Sequence, residues 1–94
     1  MYEVFHANNP TFGMPVGPQP QWPHEFTLVA EVDCETVDDV FELTNSIEHY
    51  WGENPQVKTF GGPFRSTSVG DVVKDVATQK VYRCMPVGWM EFEG

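Results

Sequence analysis

The residues of this chain that could do chemistry are two cysteines, three histidines and fourteen acidic side chains. Their spacing matches no common metal site, since neither a C-x-x-C pair nor two histidines at helical spacing occur. The one double glycine, Gly61-Gly62, is followed by Pro63 and lacks the lysine and the helix of a phosphate-binding loop. We therefore expect no catalytic residue, no metal and no cofactor, and a protein that is not an enzyme.

Charge is the most unusual property of the sequence. The net charge is −9, and residues 1–57 contain ten acidic residues but no Lys or Arg. A field of this sign repels phosphate backbones and anionic lipids, which argues against direct binding to nucleic acid or to a membrane. The favoured partner is a basic protein surface, such as that of a host DNA-binding protein. We expect a small, non-enzymatic interaction or regulatory protein.

The acidic residues concentrate around a predicted helix over residues 36–50. Its apolar stripe recurs at spacings of three and four, in Val37, Val40, Phe41, Thr44, Ile47 and Trp51. Thr36 is a suitable N-cap with Asp39 three residues later. The acidic surface consists of Glu35, Asp38, Asp39 and Glu42. Two interpretations stay open: a solvated, well-capped helix face, or the face that binds the partner.

Strict alternation over residues 26–34 predicts a half-buried strand with one apolar face, formed by Phe26, Leu28, Ala30, Val32 and Cys34. Further strands are expected at 2–6, at 72–75, at 80–85 and at 89–92, with 72–92 forming a C-terminal hairpin and strand, and a short extended piece is expected near 57–60. The fold class is α+β, with one amphipathic helix packed on a small, mostly antiparallel sheet of about five strands. Residues 1–94 form a single domain.

A Pro/Gly-rich loop over residues 7–24 is long for so small a domain. Its apolar members suggest that it packs partly over the core. An alternative function follows: a small-ligand-binding module or minor enzyme with an aromatic pocket beneath the loop. The lining would be Trp22, His24, Trp51, Tyr82 and Trp89. The same five side chains are also consistent with ordinary core packing.

A polar segment precedes the predicted hairpin and has the composition of a structural turn, in Arg65, Ser66, Ser68, Gly70 and Asp71. Its hydroxyls can cap the backbone of a tight turn, and Gly70 permits a positive φ. Asp71 is expected to accept backbone N–H groups of that same turn. For Arg65 we expect a salt bridge to the acidic helix.

The two cysteines, Cys34 and Cys84, are expected to be reduced thiols. The N-terminal residues lack the basic and apolar regions of a secretory signal, and we expect a cytoplasmic protein. No apolar run approaches the roughly 18 residues that a membrane span requires.

Several motifs occur in a fixed order. The acidic helix carries Leu43-Thr44-Asn45 and is followed by residues 51–55 (WGENP), residues 65–73 (RSTSVGDVV), Tyr82-Arg83-Cys84 and Val87-Gly88-Trp89. In this order they resemble the YodL-like domains of small plasmid and phage proteins, which share an S-x-S-x-x-D-V turn before a hairpin. The resemblance covers roughly residues 26–90 and leaves out the loop at 7–24. It implies a mobile-element origin and carries no activity or catalytic residue to this chain.

Overall fold

The sheet dominates the fold. The computed structural model describes residues 1–14, 17–45 and 49–92. In chain order its elements are β1 (Tyr2–Ala7), β2 (Phe26–Val32), α1 (Val37–Thr44), a 3-10 turn (Trp51–Glu53), β3 (Val57–Thr59), β4 (Val72–Asp75), β5 (Val81–Cys84) and β6 (Trp89–Phe92). The strands form one sheet in the order β3-β2-β1-β4-β5-β6, and every neighbouring pair is antiparallel. The predicted α+β class is confirmed in this coarse form.

The strand count needs a correction, because the described part of the chain has six strands rather than about five. The additional strand is β3, which lies where only a short extended piece was expected and pairs with the outer edge of β2 from Ala30↔Thr59 to Val32↔Val57. Three residues are too few to show a clear period of two. Sequence alternation therefore could not separate this strand from the irregular residues around it.

Strand β2 contains a bulge that the sequence pattern concealed. Val4 of β1 pairs with Ala30, whereas the next residue, Phe5, pairs with Leu28. Val29 is therefore an extra residue in β2, and it is buried. An extra residue reverses the alternation of side chains along the strand. The even-numbered residues before Val29 therefore lie on one face of the sheet, and the even-numbered residues after it lie on the other.

The bulge divides the apolar residues of β2 between two clusters. Ala30 and Val32 pack on the face that α1 covers, with Val4 and Val40. Phe26 packs on the other face, in a cluster that includes partly buried Trp22 from the 7–24 loop. We call these the helix-side face and the loop-side face. The prediction of one apolar face from Phe26 to Cys34 was wrong for this reason.

Helix α1 is shorter than the predicted 36–50. Its N-terminus is as expected, because the Thr36 hydroxyl accepts the N–H of Asp39 at 3.2 Å. The helix ends at Thr44, whose carbonyl accepts the N–H of Thr67 at 3.0 Å. Asn45 leaves helical geometry and donates its side-chain amide to the Thr67 carbonyl at 2.8 Å. These bonds to a distant turn accompany the end of α1 at Thr44, and the predicted contribution of Ile47 lies outside the described residues.

The two cysteines lie far apart. Cys34 follows β2 and Cys84 ends β5, and two strands separate β2 from β5 in the sheet. At about 4.8 Å per strand this spacing exceeds the reach of a disulfide. Both thiols are free, as the sequence predicted. Helix α1 has eight residues, and none of the helices in the described ranges has the length and hydropathy of a membrane span.

Candidate functional site

The buried carboxylate of Asp71 organises the turn at residues 65–71. Oδ1 accepts the N–H of Ala7 at 3.0 Å and Nη2 of Arg65 at 2.8 Å. Oδ2 accepts the N–H of Ser68 at 2.7 Å and Nη1 of Arg65 at 2.6 Å. Asp71 is 1% exposed, so four donors replace the water that its charge has lost. The expected capture of a backbone N–H from its own turn is present.

Arg65 pairs with Asp71 and not with the acidic helix, so that expectation was wrong. The guanidinium binds both carboxylate oxygens and also donates to the Ser66 carbonyl at 3.1 Å. A buried carboxylate six residues away is a stronger site for the planar guanidinium than exposed acids, whose charges water screens. The Phe12 ring of the 7–24 loop stacks over this guanidinium, at 5.4 Å.

His6 and Thr67 complete the buried cluster, and sequence reasoning missed both. His6 Nε2 lies 3.0 Å from Thr67 Oγ1 and 3.9 Å from Asp71 Oδ2. Burial lowers the pKa of His6 to about 4, although the nearby Asp71 carboxylate acts in the opposite direction. The signal was available in β1, where Tyr2, Val4 and His6 alternate onto the face that α1 covers.

The cluster contains a hydroxyl, an imidazole and a carboxylate, but it lacks the geometry of a nucleophilic relay. Such a relay needs the hydroxyl on one ring nitrogen of the histidine and the carboxylate on the other. Here Thr67 and Asp71 both approach Nε2 of His6, and Thr67 has no exposed surface. The arrangement joins β1, the 65–71 turn and β4, and it is a structural cluster.

The acidic helix surface is the first candidate for recognition. Glu35, Asp38 and Glu42 are exposed and Asp39 is half-buried. Among the described residues, none of these four side chains forms an ion pair. Glu35, Asp39 and Glu42 line one shallow depression beside α1, whereas Asp38 lies beside a second one. The four acids therefore surround the exposed side of the helix and do not converge on one point.

The cations lie away from this surface. Strand register and alternation place Lys58, Lys74 and Arg83 on the loop-side face of the sheet. Lys80 lies at the β4–β5 hairpin, 4.0 Å from Glu91, and Arg65 is occupied by Asp71. Three of the five cations therefore lie on the loop-side face, whereas the acids of the helix surface have no ion-pair partner among the described residues.

The aromatic residues of the alternative hypothesis are not brought together. Trp51 is buried in the helix-side core, with Nε1 donating to the Arg65 carbonyl at 3.0 Å. Trp89 packs edge-on to Phe41 on the same face. Trp22 packs on the opposite face, against Phe5 at 4.8 Å. The remaining two residues of that set are His24, which is exposed, and Tyr82, which is half-buried.

A cavity of about 310 Å³ does lie beneath the 7–24 loop, with a different lining. Its loop wall is formed by Gly13, Gln19 and Pro20, and its sheet wall by Val69, Gly70 and residues 83–86. None of the five aromatic or histidine residues proposed from the sequence is among these lining residues.

Over residues 1–14, 17–45 and 49–92, no group of three or more His, Cys, Asp or Glu side chains is arranged to hold a metal ion. Comparisons of the chain with protein-family models, with curated proteins and with solved structures found no match in any of the three. The resemblance of residues 26–90 to YodL-like domains therefore stays a prediction.

Proposed function

We propose that this protein is a small, non-enzymatic interaction protein of plasmid or phage origin that acts in the cytoplasm. Its acidic helix surface, Glu35, Asp38, Asp39 and Glu42, binds a basic surface of a host protein. The observation that supports this proposal is the separation of charge across the sheet. Three cations lie on the loop-side face, and none of the four helix acids has an ion-pair partner among the described residues.

The physical reasoning concerns the cost of binding. Acids already engaged in internal ion pairs would lose those partners when a second protein binds. Exposed acids without such partners lose only hydration and counterions, and their common sign accelerates the encounter with a cationic surface. A host DNA-binding protein fits this requirement, because its phosphate-contacting lysines and arginines already form a contiguous cationic surface.

The test begins with affinity capture from the host, followed by titration of the purified partner. The helix variant carries Asp38→Asn and Glu42→Gln, two exposed changes. The matched control carries Glu3→Gln and Glu31→Gln, which alter net charge equally on the loop-side face, where the two acids are cross-strand neighbours. We expect the helix variant to bind about tenfold or more weakly than wild type and the control to bind within about twofold, consistent with close charge pairs at interfaces.

A salt series separates this proposal from apolar docking. Between 50 and 500 mM salt, the affinity of the wild type should fall steeply, since interactions between exposed charges are screened beyond a Debye length of about 8 Å at physiological ionic strength. Equal weakening by both variants, or an affinity that does not change with salt, would contradict the proposal.

A further inference from the structure

The cavity beneath the 7–24 loop combines an apolar wall with one positive charge. Pro20, Val69, Met85 and Pro86 supply apolar surface, and Arg83 is the one charged side chain among the described lining residues. Cys84 also lines the cavity, but burial raises the pKa of its thiol to about 11, so it adds no charge near neutral pH. Pockets with this composition bind small molecules through an apolar body and one oriented polar group.

The two arginines of the chain differ in their partners. The guanidinium of Arg65 is bound on both sides by Asp71. Arg83 lies over the Phe92 ring, with its guanidinium carbon 4.9 Å from the ring centroid, and makes no hydrogen bond or ion pair with any described residue. Its planar set of donors is therefore open to a ligand, and that geometry matches the two oxygens of a carboxylate.

The loop wall depends on a glycine. Gly13 has a φ of +78°, and a Cβ at this position would lie 2.6 Å from Cγ1 of Val69. The loop backbone therefore lies directly against Val69, and a side chain at position 13 would push the two walls apart. The cavity has a volume of about 310 Å³ and is partly open to solvent. This volume lies at the lower end of the roughly 300–1,000 Å³ of small-molecule pockets, so it suits a small ligand.

We propose that this cavity binds a small apolar monocarboxylate, with its hydrocarbon body against Val69, Met85 and Pro86 and its carboxylate on Arg83. The nearest buried acid of the fold, Asp71, does not oppose this binding because Arg65 neutralises it. The cavity shares Cys84, Met85 and Pro86 with the depression beside Asp38, but Asp38 itself does not line it, and this proposal does not depend on the function proposed for the acidic helix surface.

The test uses phenylacetate, which has ten non-hydrogen atoms, and its neutral analogue phenylacetamide. Each is titrated to 20 mM into ¹⁵N-labelled protein, with the amides of Val69, Gly70 and Met85 as reporters. We expect phenylacetate to shift these amides and to bind at least tenfold more tightly than phenylacetamide. In Arg83→Gln the tenfold preference should disappear, while the affinity for phenylacetamide stays within about twofold.

Two controls make the result specific to this cavity. Lys74→Gln removes an equal charge from the same face of the sheet without altering the cavity, so the preference for phenylacetate should remain. Gly13→Ala should weaken both probes while the spectrum remains that of a folded protein. An absence of shifts up to 20 mM, equal affinity for the two probes in the wild type, or an equal loss of preference in Lys74→Gln would overturn the proposal.

Discussion

Replacement of Asp71 by Asn should destabilise the protein more than most single substitutions at charged positions. The carboxylate accepts four hydrogen bonds, two from Arg65 and one each from the N–H groups of Ala7 and Ser68. An amide keeps one acceptor oxygen and places an NH₂ group against one N–H of Arg65 and one backbone N–H. The guanidinium of Arg65, 31% exposed, also loses its counter-charge.

The magnitude follows from these losses. Breaking one side of a buried, hydrogen-bonded ion pair costs about 3–5 kcal/mol. A domain of 94 residues has a free energy of unfolding of roughly 5–14 kcal/mol. The substitution should therefore remove about a fifth or more of the stability. With an m-value of about 2 kcal/mol/M, the urea midpoint should fall by about 2 M.

Urea titration followed by tryptophan fluorescence measures this shift, because Trp51 is buried and donates to the Arg65 carbonyl. Asp33→Asn is the control, since Asp33 is exposed and the substitution should change stability by less than about 0.5 kcal/mol. Arg65→Lys keeps the charge but loses the bidentate geometry, so its midpoint should lie between those of wild type and Asp71→Asn. A midpoint for Asp71→Asn within 0.5 M of wild type would refute the reasoning.

Three further predictions concern titration, capping and thiol reactivity. Because burial lowers the pKa of His6 to about 4 from 6.5, the unfolded chain binds more protons between these values, so stability falls by up to about 3 kcal/mol as pH drops from 6.5 to 4. The difference between the urea midpoints at pH 7 and at pH 4.5 should be smaller in His6→Gln than in the wild type. An equal difference in the two proteins would contradict this. Thr36→Ala should cost about 1 kcal/mol and Thr36→Ser much less, measured by the same midpoints; equal costs would argue against the cap. Cys84, with its pKa raised to about 11, should react with a thiol reagent at pH 8 only in urea, whereas Cys34 is partly exposed and should react in the native protein; comparable native rates would contradict the burial of Cys84.

The α+β class and most strand positions could be predicted because they depend on local patterns. The Thr36 cap and the final strand at 89–92 are examples, since their signals lie within a few neighbouring residues. The bulge at Val29 could not be predicted, because it appears only when β1 and β2 pair. The early end of α1 depends on hydrogen bonds with Thr67, which is 22 residues beyond Asn45.

The candidate sites also combine features that local sequence patterns predict with features that depend on contacts between distant residues. The turn at 65–71 could be anticipated from Gly70 and Asp71. The alternation of β1 indicates the face on which His6 lies, but the contacts of Asp71 with Ala7 and His6 could not be predicted. The assignment of Arg65 to the helix failed because the sequence gives no measure of burial, and burial is what makes Asp71 the stronger partner.

The sequence predicted an aromatic pocket beneath the 7–24 loop; a cavity lies there, but none of the predicted residues is among its described lining residues. Large aromatic side chains such as Trp51 and Trp22 fill the two cores, where burying them stabilises the fold. The cavity that remains is lined by smaller residues, among them Gly13, Pro20 and Gly70. Composition alone cannot distinguish aromatic residues that fill a core from those that surround a ligand.

The most direct test of the charge-based account is a footprint of the purified basic partner on this protein by hydrogen exchange. We predict slower exchange over residues 35–43 on binding, an effect that weakens in 500 mM salt, and no change over β3 and β6 at the two edges of the sheet. Protection confined to a sheet edge, with residues 35–43 unchanged, would contradict recognition through the acidic helix surface.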